Sequence, residues 1–242
     1  LPFMTPPSFK LGTWLSLGST TVAELAADSG FDWLLFDLEH GSATDAAIPD
    51  QLRATRGSPI QTIVRVGAPH HDLIGRVLDW GAAGIMVPRV CSVDDAERIV
   101  KAAHYAPRGH RGVARTVRAV GYGLRPNDEK QMPRPKIIAQ IETLDAVDQA
   151  AAIAAVDGID VLFIGPADLG YDLLAQKSER SYADCVTRVA LAARESGKEC
   201  GILLRRTEDM AAMLELGLSW IAVDSDIGLI REGYERIVAA AK

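Results

Sequence analysis

Residues 156–170 read VDGIDVLFIGPADLG, and this stretch decides the fold. A helical region ends near Gly158, an apolar run covers Ile159–Ile164, and a polar segment extends from Gly165 to Asp168. A glycine after a helix supplies a left-handed cap, and an uninterrupted apolar run is typical of a strand buried on both faces. The stretch therefore predicts a helix, a buried parallel strand and a polar strand end, in that order.

The same pattern recurs along the chain, where Gly30, Gly81 and Gly217 each end a predicted helix and precede an apolar run. The predicted strands are Leu11–Leu15, Phe31–Phe36, Gln61–Val64, Ile85–Val87, Ile137–Ile141, Ile159–Ile164, Glu199–Leu203 and Ser219–Val223. The predicted helices cover 20–29, 43–55, 70–80, 93–103, 143–154, 180–196, 207–216 and 227–240. Strands that alternate with helices indicate an α/β fold with a parallel sheet, and 242 residues suit one closed barrel. We therefore expect a single (β/α)8 TIM-barrel domain over residues 1–242.

Composition narrows the class of protein. The formal net charge of −6 argues against a nucleic-acid partner, because phosphate binding needs clustered Lys and Arg. The 48% hydrophobic and 24% charged residues are those of an ordinary soluble protein. Cys91, Cys185 and Cys200 form no CxxC pair, and the chain has no signal-peptide pattern and no apolar run of about 18 residues. These features predict a cytoplasmic protein without a membrane partner.

Polar residues follow several predicted strands and nominate a site. The second strand ends in Asp37–His40, the third in Arg65, the fifth in Gln140 and Glu142, and the sixth in Gly165–Asp168. Active sites of (β/α)8 barrels lie at the carboxyl ends of the strands. We therefore expect these side chains to meet at one mouth of the barrel.

Glu142 and Asp168 are two carboxylates at this mouth, without a cysteine or a close histidine pair beside them. An all-oxygen ligand set favours Mg²⁺ or Mn²⁺, with water and substrate oxygens completing the octahedron. The alternative is that each carboxylate only caps the helix that follows it.

His40, Arg65 and the turn at Gly165–Asp168 each have two interpretations. His40 can move protons near neutral pH with its ring held by Asp37, or it can be a loop histidine bonded to backbone. Arg65 can bind a substrate carboxylate, or it can be a structural ion-pair partner. The free N–H groups of the turn can hold an anion, although Gly-Pro turns are common.

The sequence lacks two features that other classes of barrel enzyme require, a lysine at a strand end and a glycine-rich phosphate loop. No lysine follows a predicted strand, as a Schiff-base aldolase would require. The seventh and eighth strands lead into Leu203–Arg206 and Asp224–Asp226 rather than into a glycine-rich phosphate loop. The substrate is therefore not expected to be phosphorylated.

These residues, in this order, resemble the metal-dependent (class II) pyruvate aldolases, typified by 4-hydroxy-2-oxoheptane-1,7-dioate aldolase and 2-dehydro-3-deoxyglucarate aldolase, with macrophomate synthase as a relative. The resemblance runs from Leu11-Gly12-Thr13-Trp14 to the end of the chain. Its most specific motifs are Phe36–Gly41, Val64–Val66, Val77–Ala82, Gln140–Thr143 and Ile164–Leu169.

The resemblance implies a role for each site residue. Glu142 and Asp168 would bind the divalent metal (Mg²⁺, Mn²⁺ or Co²⁺), and Arg65 would stabilise the enolate. His40 would transfer protons with Asp37 orienting it, and Asp79 would reach it from a neighbouring subunit. The other substrate-binding residues implied are Trp14, Gln140, Gly165, Ala167 and Leu203.

The resemblance also implies an activity and an assembly. The chain would be a carbon–carbon lyase that reversibly cleaves 4-hydroxy-2-oxo acids to pyruvate, or a pyruvate analogue, and an aldehyde through a metal-stabilised enolate. It would form a hexamer, a dimer of trimers in which the eighth helix is exchanged between subunits. The alternatives are a coenzyme A-ester lyase or oxaloacetate decarboxylase of the same superfamily, and a catalytically inactive barrel that serves as a scaffold.

The segment at about 105–135 does not match the family securely. It is rich in Arg, Gly and Pro, and its length favours a lid or an interface arm. Arg115, Arg118 and Tyr122 lie in it. The acceptor aldehyde therefore stays open.

Overall fold

The structure of the chain, a computed structural model, describes residues 9–124 and 134–242. Eight parallel strands close into a barrel in which each strand pairs with its neighbours in chain order. The strands are β1 (Lys10–Leu15), β2 (Trp33–Asp37), β3 (Gln61–Arg65), β4 (Gly84–Val87), β5 (Lys136–Ile141), β6 (Val161–Ile164), β7 (Glu199–Leu204) and β8 (Trp220–Ser225). The predicted (β/α)8 barrel is confirmed.

Helices connect the strands around the outside of the barrel. They are α1 (Thr20–Asp28), α2 (Ile48–Ala54), α3 (His71–Asp79), α4 (Val93–Ala103), α5 (Leu144–Ala154), α6 (Pro166–Ala175), α7 (Tyr182–Glu195), α8 (Met210–Glu215) and α9 (Asp226–Ala240). Within the described ranges, no helix combines the length and the apolar character needed to cross a bilayer.

The helix α6 differs from the prediction of one helix per strand. It begins at Pro166, directly after β6, and fills the segment before the helix predicted at 180–196, which is α7. Proline suits the first helical position because its fixed φ is already helical, and because the N–H group that it lacks would have no acceptor within the helix there. The predicted helices at 43–55 and 207–216 each begin with a short 3₁₀ turn, at Asp45–Ala47 and Thr207–Asp209.

The glycines that punctuate the sequence have the predicted backbone. Gly30, Gly81 and Gly217 directly follow the C-cap residues of α1, α3 and α8 and have φ of 92°, 91° and 89°. Gly158 also has a positive φ, 113°, but it lies three residues beyond Ala155, the cap of α5. It therefore belongs to the turn that leads into β6 and is not the helix cap itself.

Large aromatic side chains fill the barrel interior. Trp33 packs against Trp220 and Phe163, with ring centroids 5.1 and 6.0 Å apart, and Trp14 lies 5.5 Å from Phe163. All four side chains are buried. This layer fills the barrel axis, so it separates the two ends of the barrel from each other.

The amino-terminal end of the barrel is closed by an ion-paired cluster. Glu199, at the start of β7, accepts hydrogen bonds of 2.9 Å from the Nζ atoms of Lys10 and Lys136. Both ammonium groups also lie over the Trp220 ring, 4.7 and 5.4 Å from its centroid. We refer to Lys10, Lys136, Glu199 and Trp220 as the lower cluster.

Candidate active site

A cavity of about 400 Å³ opens at the carboxyl ends of the strands. Its lining residues are Trp14, Ser16, Asp37, His40, Arg65, Gln140, Phe163, Gly165, Pro166, Ala167, Asp168, Leu203, Arg205 and Ser225. The structure thus brings together every side chain nominated from the sequence except Glu142, which lies behind the lining, and Asp79.

Arg65 is held in place by two carboxylates. Because Asp37 and Arg65 are register partners at the ends of β2 and β3, the side chains meet at the mouth. Arg65 donates from Nε and Nη2 to the two carboxylate oxygens of Asp37, at 2.9 and 2.7 Å, and its Nη1 lies 2.9 Å from Glu39 Oε2. The guanidinium also lies 5.7 Å from the Trp14 ring. These contacts fix its orientation without closing it off from the cavity.

Glu142 follows β5 and is the most deeply buried carboxylate at the mouth, with 2% of its surface exposed. Its Oε1 accepts from the Arg89 N–H at 2.8 Å and its Oε2 accepts from Gln140 Nε2 at 2.5 Å. Burial raises its pKa to about 7; the Arg89 N–H opposes this rise, whereas Asp168 and Glu39 add to it. No cationic side chain among the described residues forms an ion pair with this carboxylate.

The start of α6 forms the side of the cavity next to Glu142. A Cβ atom at Gly165 would lie 2.3 Å from Glu142 Oε2, so only glycine allows this close approach. Ala167 and Asp168 lie in the first turn of α6, where backbone N–H groups have no acceptor within the helix. Such N–H groups are suited to bind a carboxylate.

The residues next to Glu142 fit a divalent cation. The carboxylates of Glu142 and Asp168 lie close enough to interact, and together they make the electrostatic potential here more negative. The buried Gln140 Oε1 has no hydrogen-bond partner among the described residues. Two carboxylates and an amide oxygen are the hard oxygen ligands that Mg²⁺ and Mn²⁺ prefer. No group of three or more His, Cys, Asp and Glu side chains forms a metal cage within the described ranges. A cation here would therefore also need oxygens from water or substrate.

His40 differs from its sequence-based interpretation. Asp37 contacts His40 through the backbone, since its Oδ1 accepts from the His40 N–H at 3.3 Å while both its oxygens serve Arg65. The carboxylate near the His40 ring is Glu39, whose Oε2 lies 4.0 Å from Nε2. The expectation that Asp37 orients the His40 ring is therefore corrected. The ring lines the cavity with 69% of its side chain exposed.

Asp79 does not line the cavity of its own chain. It ends α3, and helices that follow barrel strands end at the amino-terminal side of the barrel. There it accepts from Arg111 Nη2 at 2.5 Å, and Arg111 lies 4.7 Å from the Tyr105 ring. Its contact with a neighbouring subunit stays a prediction.

The segment at 105–135 was predicted to be a lid or an interface arm. Its described part packs against helices α2 and α3 and not at the mouth of the barrel. Arg118 donates to the carbonyl oxygens of Trp80 at 2.9 Å and Leu52 at 3.0 Å, at the ends of α3 and α2. Tyr122 is half exposed beside it, with φ of 57°. Residues 125–133 lie outside the described ranges, so the predicted lid or interface arm stays a prediction.

Several site residues were missed at the sequence level. Glu39 forms an ion pair with Arg65. Its position in the same strand-end motif as Asp37 could have predicted that it reaches the mouth. Ser16, Ser225 and Arg205 line the cavity but belong to no chemical pattern in the sequence.

One missed residue shapes the cavity without lining it. Asp226 accepts from the backbone N–H groups of Ser16 and Leu17, at 2.9 and 3.0 Å. It thereby fastens the loop after β1 to the start of α9. Such contacts over more than 200 residues leave no local mark in the sequence.

Comparison with known proteins gives a consistent result. The family model described as HpcH/HpaI aldolase/citrate lyase matches residues 10–232. A hydroxypyruvate/pyruvate aldolase of Paraburkholderia phytofirmans is 38% identical over 233 residues, which is 92% of this chain and 88% of the relative. A 5-keto-4-deoxy-D-glucarate aldolase of Salmonella arizonae is 34% identical, covering 96% of this chain and 92% of the relative.

A solved structure supports the same relationship. The HpcH/HpaI aldolase/citrate lyase family protein of Burkholderia cenocepacia superposes with a TM-score of 0.90 at 33% identity. The match covers 97% of this chain and 95% of that chain. The structural match therefore extends over the whole barrel.

Proposed function

The chain belongs to the HpcH/HpaI aldolase/citrate lyase family, and we propose that it is a metal-dependent aldolase that reversibly cleaves 4-hydroxy-2-oxo acids to pyruvate and an aldehyde. Relatives named as aldolases, at 34 and 38% identity, make it a carbon–carbon lyase. The finer proposal rests on the buried carboxylate of Glu142, which lies near Arg65 and the start of α6 but forms no ion pair within the described ranges.

The proposed cation is Mg²⁺, Mn²⁺ or Co²⁺, and Glu142 and Asp168 would hold it, with Gln140 beside it. When bound, it would supply Lewis acidity that favours loss of a proton from the methyl group of a 2-oxo acid. The N–H groups of Ala167 and Asp168 would bind the substrate carboxylate at the start of α6.

Arg65 would stabilise the enolate. A guanidinium held by Asp37 and Glu39 is oriented before the negative charge develops, so little reorganisation is needed during the reaction. In the direction of cleavage, His40 would take the proton of the 4-hydroxyl group as the carbon–carbon bond breaks, and it would return it in the direction of addition. Its exposed position at the mouth supports this role because the ring can exchange protons with solvent.

Two alternatives share the enolate chemistry. Decarboxylation of oxaloacetate would use Arg65 and the same carboxylates, so we propose it as a side activity. A coenzyme A-ester lyase is the weaker fit, because the relatives at 34 and 38% identity are named as aldolases. An inactive scaffold would not need an uncompensated buried carboxylate beside an oriented arginine, because such a group costs stability.

Removal of divalent metal tests the proposed function. We expect EDTA to abolish release of pyruvate from 4-hydroxy-2-oxo acids, and Mg²⁺, Mn²⁺ or Co²⁺ to restore it. The measurement is pyruvate release from a panel of such acids. Full activity in chelator, or a lysine adduct trapped by borohydride, would refute the metal-dependent mechanism.

The proposed assembly is a hexamer, a dimer of trimers, in which the last helix is exchanged between subunits. The support is the surface of α9, where only Asp226 and Gly228 are buried. Its exposed apolar residues include Ile227, Leu229, Ile230, Ile237 and Val238. A helix with this many exposed apolar residues is typical of an interaction site.

Light scattering at micromolar concentration tests the assembly. We expect a mass near six chains, because the apolar face of α9 needs a partner subunit to cover it. A monomer would contradict the proposal. A cytoplasmic location, and the lack of nucleic-acid and membrane partners, stay predictions.

A further inference from the structure

The cavity has two walls of different chemistry. One is formed by Arg65, Gln140 and the start of α6, to which the proposed function assigns the pyruvate part of the substrate. The other is formed by Arg205 at the end of β7, Ser225 at the end of β8 and Ser16 after β1. Because β7, β8 and β1 are neighbours in the barrel, this second wall is continuous. The proposed function places no part of the substrate on this second wall.

The two arginines of the cavity differ in what they already bind. All three guanidinium nitrogens of Arg65 contact the carboxylates of Asp37 or Glu39. The Arg205 side chain is 68% exposed, and its ion pair in the described structure is a 3.5 Å contact from Nη1 to Asp224 Oδ1. A contact of that length is weak as a hydrogen bond. Of the two arginines that line the cavity, Arg205 is therefore the one whose donors are available to a ligand.

Asp224 lies beside Arg205 and attracts its guanidinium toward the cavity. Its side chain is only 7% exposed, and its backbone is left-handed, with φ of 51°. A Cβ atom at Gly228 would lie 2.1 Å from Asp224 Oδ1, so the carboxylate fits closely against the first turn of α9. The Thr13 hydroxyl donates to the Asp224 carbonyl oxygen at 3.2 Å. Asp224 is thus a fixed anchor that attracts the guanidinium without covering it.

From this arrangement we infer that Arg205 determines specificity for the acceptor, by binding a carboxylate at the end of the aldehyde far from its reacting carbon. The inference rests on the proposed aldolase function. A guanidinium matches the geometry of a carboxylate and can donate two parallel hydrogen bonds to it. The hydroxyl groups of Ser16 and Ser225 on the same wall are further donors. A doubly charged phosphate is disfavoured there, because Asp224 and Asp168 lie at the same mouth.

Acceptor kinetics with saturating pyruvate test this role. The acceptors are succinic semialdehyde, the neutral aldehyde butanal, which also has four carbons, and glyceraldehyde 3-phosphate. In the Arg205→Gln variant we expect the kcat/KM ratio of succinic semialdehyde to butanal to fall about 10-fold, the lower end expected for a charge-assisted hydrogen bond at an exposed site. Arg205→Lys, which keeps the charge but loses the fork, should retain part of the ratio.

Arg206→Gln is the matched control. Arg206 is 69% exposed, lies 3.4 Å from Glu208 and does not line the cavity, so its replacement should leave the ratio unchanged. Oxaloacetate decarboxylation, measured in parallel, reports the enolate machinery.

Four results would overturn the inference. They are an unchanged ratio in Arg205→Gln, an equal fall in Arg206→Gln, a wild-type preference for the phosphorylated aldehyde, and an equal loss of decarboxylation in Arg205→Gln, which would indicate a structural role. Condensation of pyruvate with aldehydes that does not depend on Arg205 would refute this inference alone. A wild-type protein that condenses pyruvate with no aldehyde would refute the proposed function as well.

Discussion

The lower end of the barrel holds the partly buried carboxylate of Glu199, the mouth holds the buried carboxylate of Glu142, and the surroundings of the two differ. In the lower cluster, burial acts to raise the pKa of Glu199, but hydrogen bonds from Lys136 and Lys10 outweigh it and lower the pKa. At the mouth, burial raises the pKa of Glu142 to about 7, and the neighbours Asp168 and Glu39 add to the rise. Glu199 is ion-paired with two lysines, whereas Glu142 forms no ion pair within the described ranges and is opposed only by the more distant charge of Arg65.

This difference separates a structural role from a functional one. A compensated ion pair closes the barrel and has little affinity for further ions. An uncompensated carboxylate costs stability in the protein alone, and a bound cation would offset that cost. Perturbed carboxylates of this kind concentrate at functional sites. Arg65 and Arg205 at the mouth show the same contrast, since the first is fully engaged by carboxylates and the second is not.

The largest expected effect is on catalysis at the mouth. Arg65→Ala should lower deuterium exchange of the pyruvate methyl group, decarboxylation of oxaloacetate and aldol cleavage alike, by roughly 10²–10³, as for loss of one preorganised oxyanion donor. His40→Ala should lower aldol cleavage by about 10²–10⁴ but retain more decarboxylation, because its proton transfer involves the aldol hydroxyl. The three rates measured on both variants check this.

Lys136→Gln in the lower cluster is the control at the other end of the barrel, and it should leave all three rates near the wild-type values. Equal losses of every activity in Arg65→Ala and His40→Ala would refute the division of roles. His40 would then belong to enolisation or to the structure that holds Arg65.

A second effect is a gain of stability on removing the charge of Glu142. Because its folded pKa of about 7 lies above the ordinary value of 4.5, the folded chain holds more protons between these pH values, and stability falls as pH rises through that window. At pH about 8, Glu142→Gln should therefore stabilise the metal-free protein by up to about 3 kcal/mol. The buried Gln140 Oε1, which lacks a partner, can accept from the new amide.

Denaturant unfolding at several pH values measures this effect. Adding Mg²⁺ should stabilise the wild type and not the variant. A variant that is less stable than the wild type at pH about 8 without metal would show that the Glu142 carboxylate is compensated after all.

The smallest of these effects is a loss of stability at the lower cluster. Glu199→Gln removes the negative charge between two ammonium groups and leaves one of them without its acceptor, so it should destabilise the protein by about 2 kcal/mol at neutral pH. Because the folded pKa of Glu199 is lowered, its contribution is present above the ordinary value of 4.5 and is lost as pH falls through the folded value. Unfolding of wild type and variant from neutral to acid pH should therefore converge. A difference that persists at low pH would contradict the assignment.

The fold and most of the mouth could be predicted from the sequence. Strand runs, helix-ending glycines and the rule that barrel sites lie at strand carboxyl ends predicted the position of His40, Arg65, Gln140 and Asp168. The pairing of Asp37 with Arg65 rather than with the His40 ring could not be predicted. It depends on the register of β2 against β3, which joins residues 28 apart.

The sequence by itself determined that His40, Arg65, Gln140 and Asp168 reach the mouth, because strand and helix periodicity and glycine caps are local properties of the chain. Only the tertiary structure decided which of these charges are compensated. The ion-pair partners of Arg65 and Glu199 come from other strands, and the Arg89 N–H that Glu142 accepts from comes from another loop. Burial, which acts to raise the pKa values of Glu142 and Glu199, depends on the closed barrel around them. The same reason explains why Arg205 became visible as a candidate only in the folded chain.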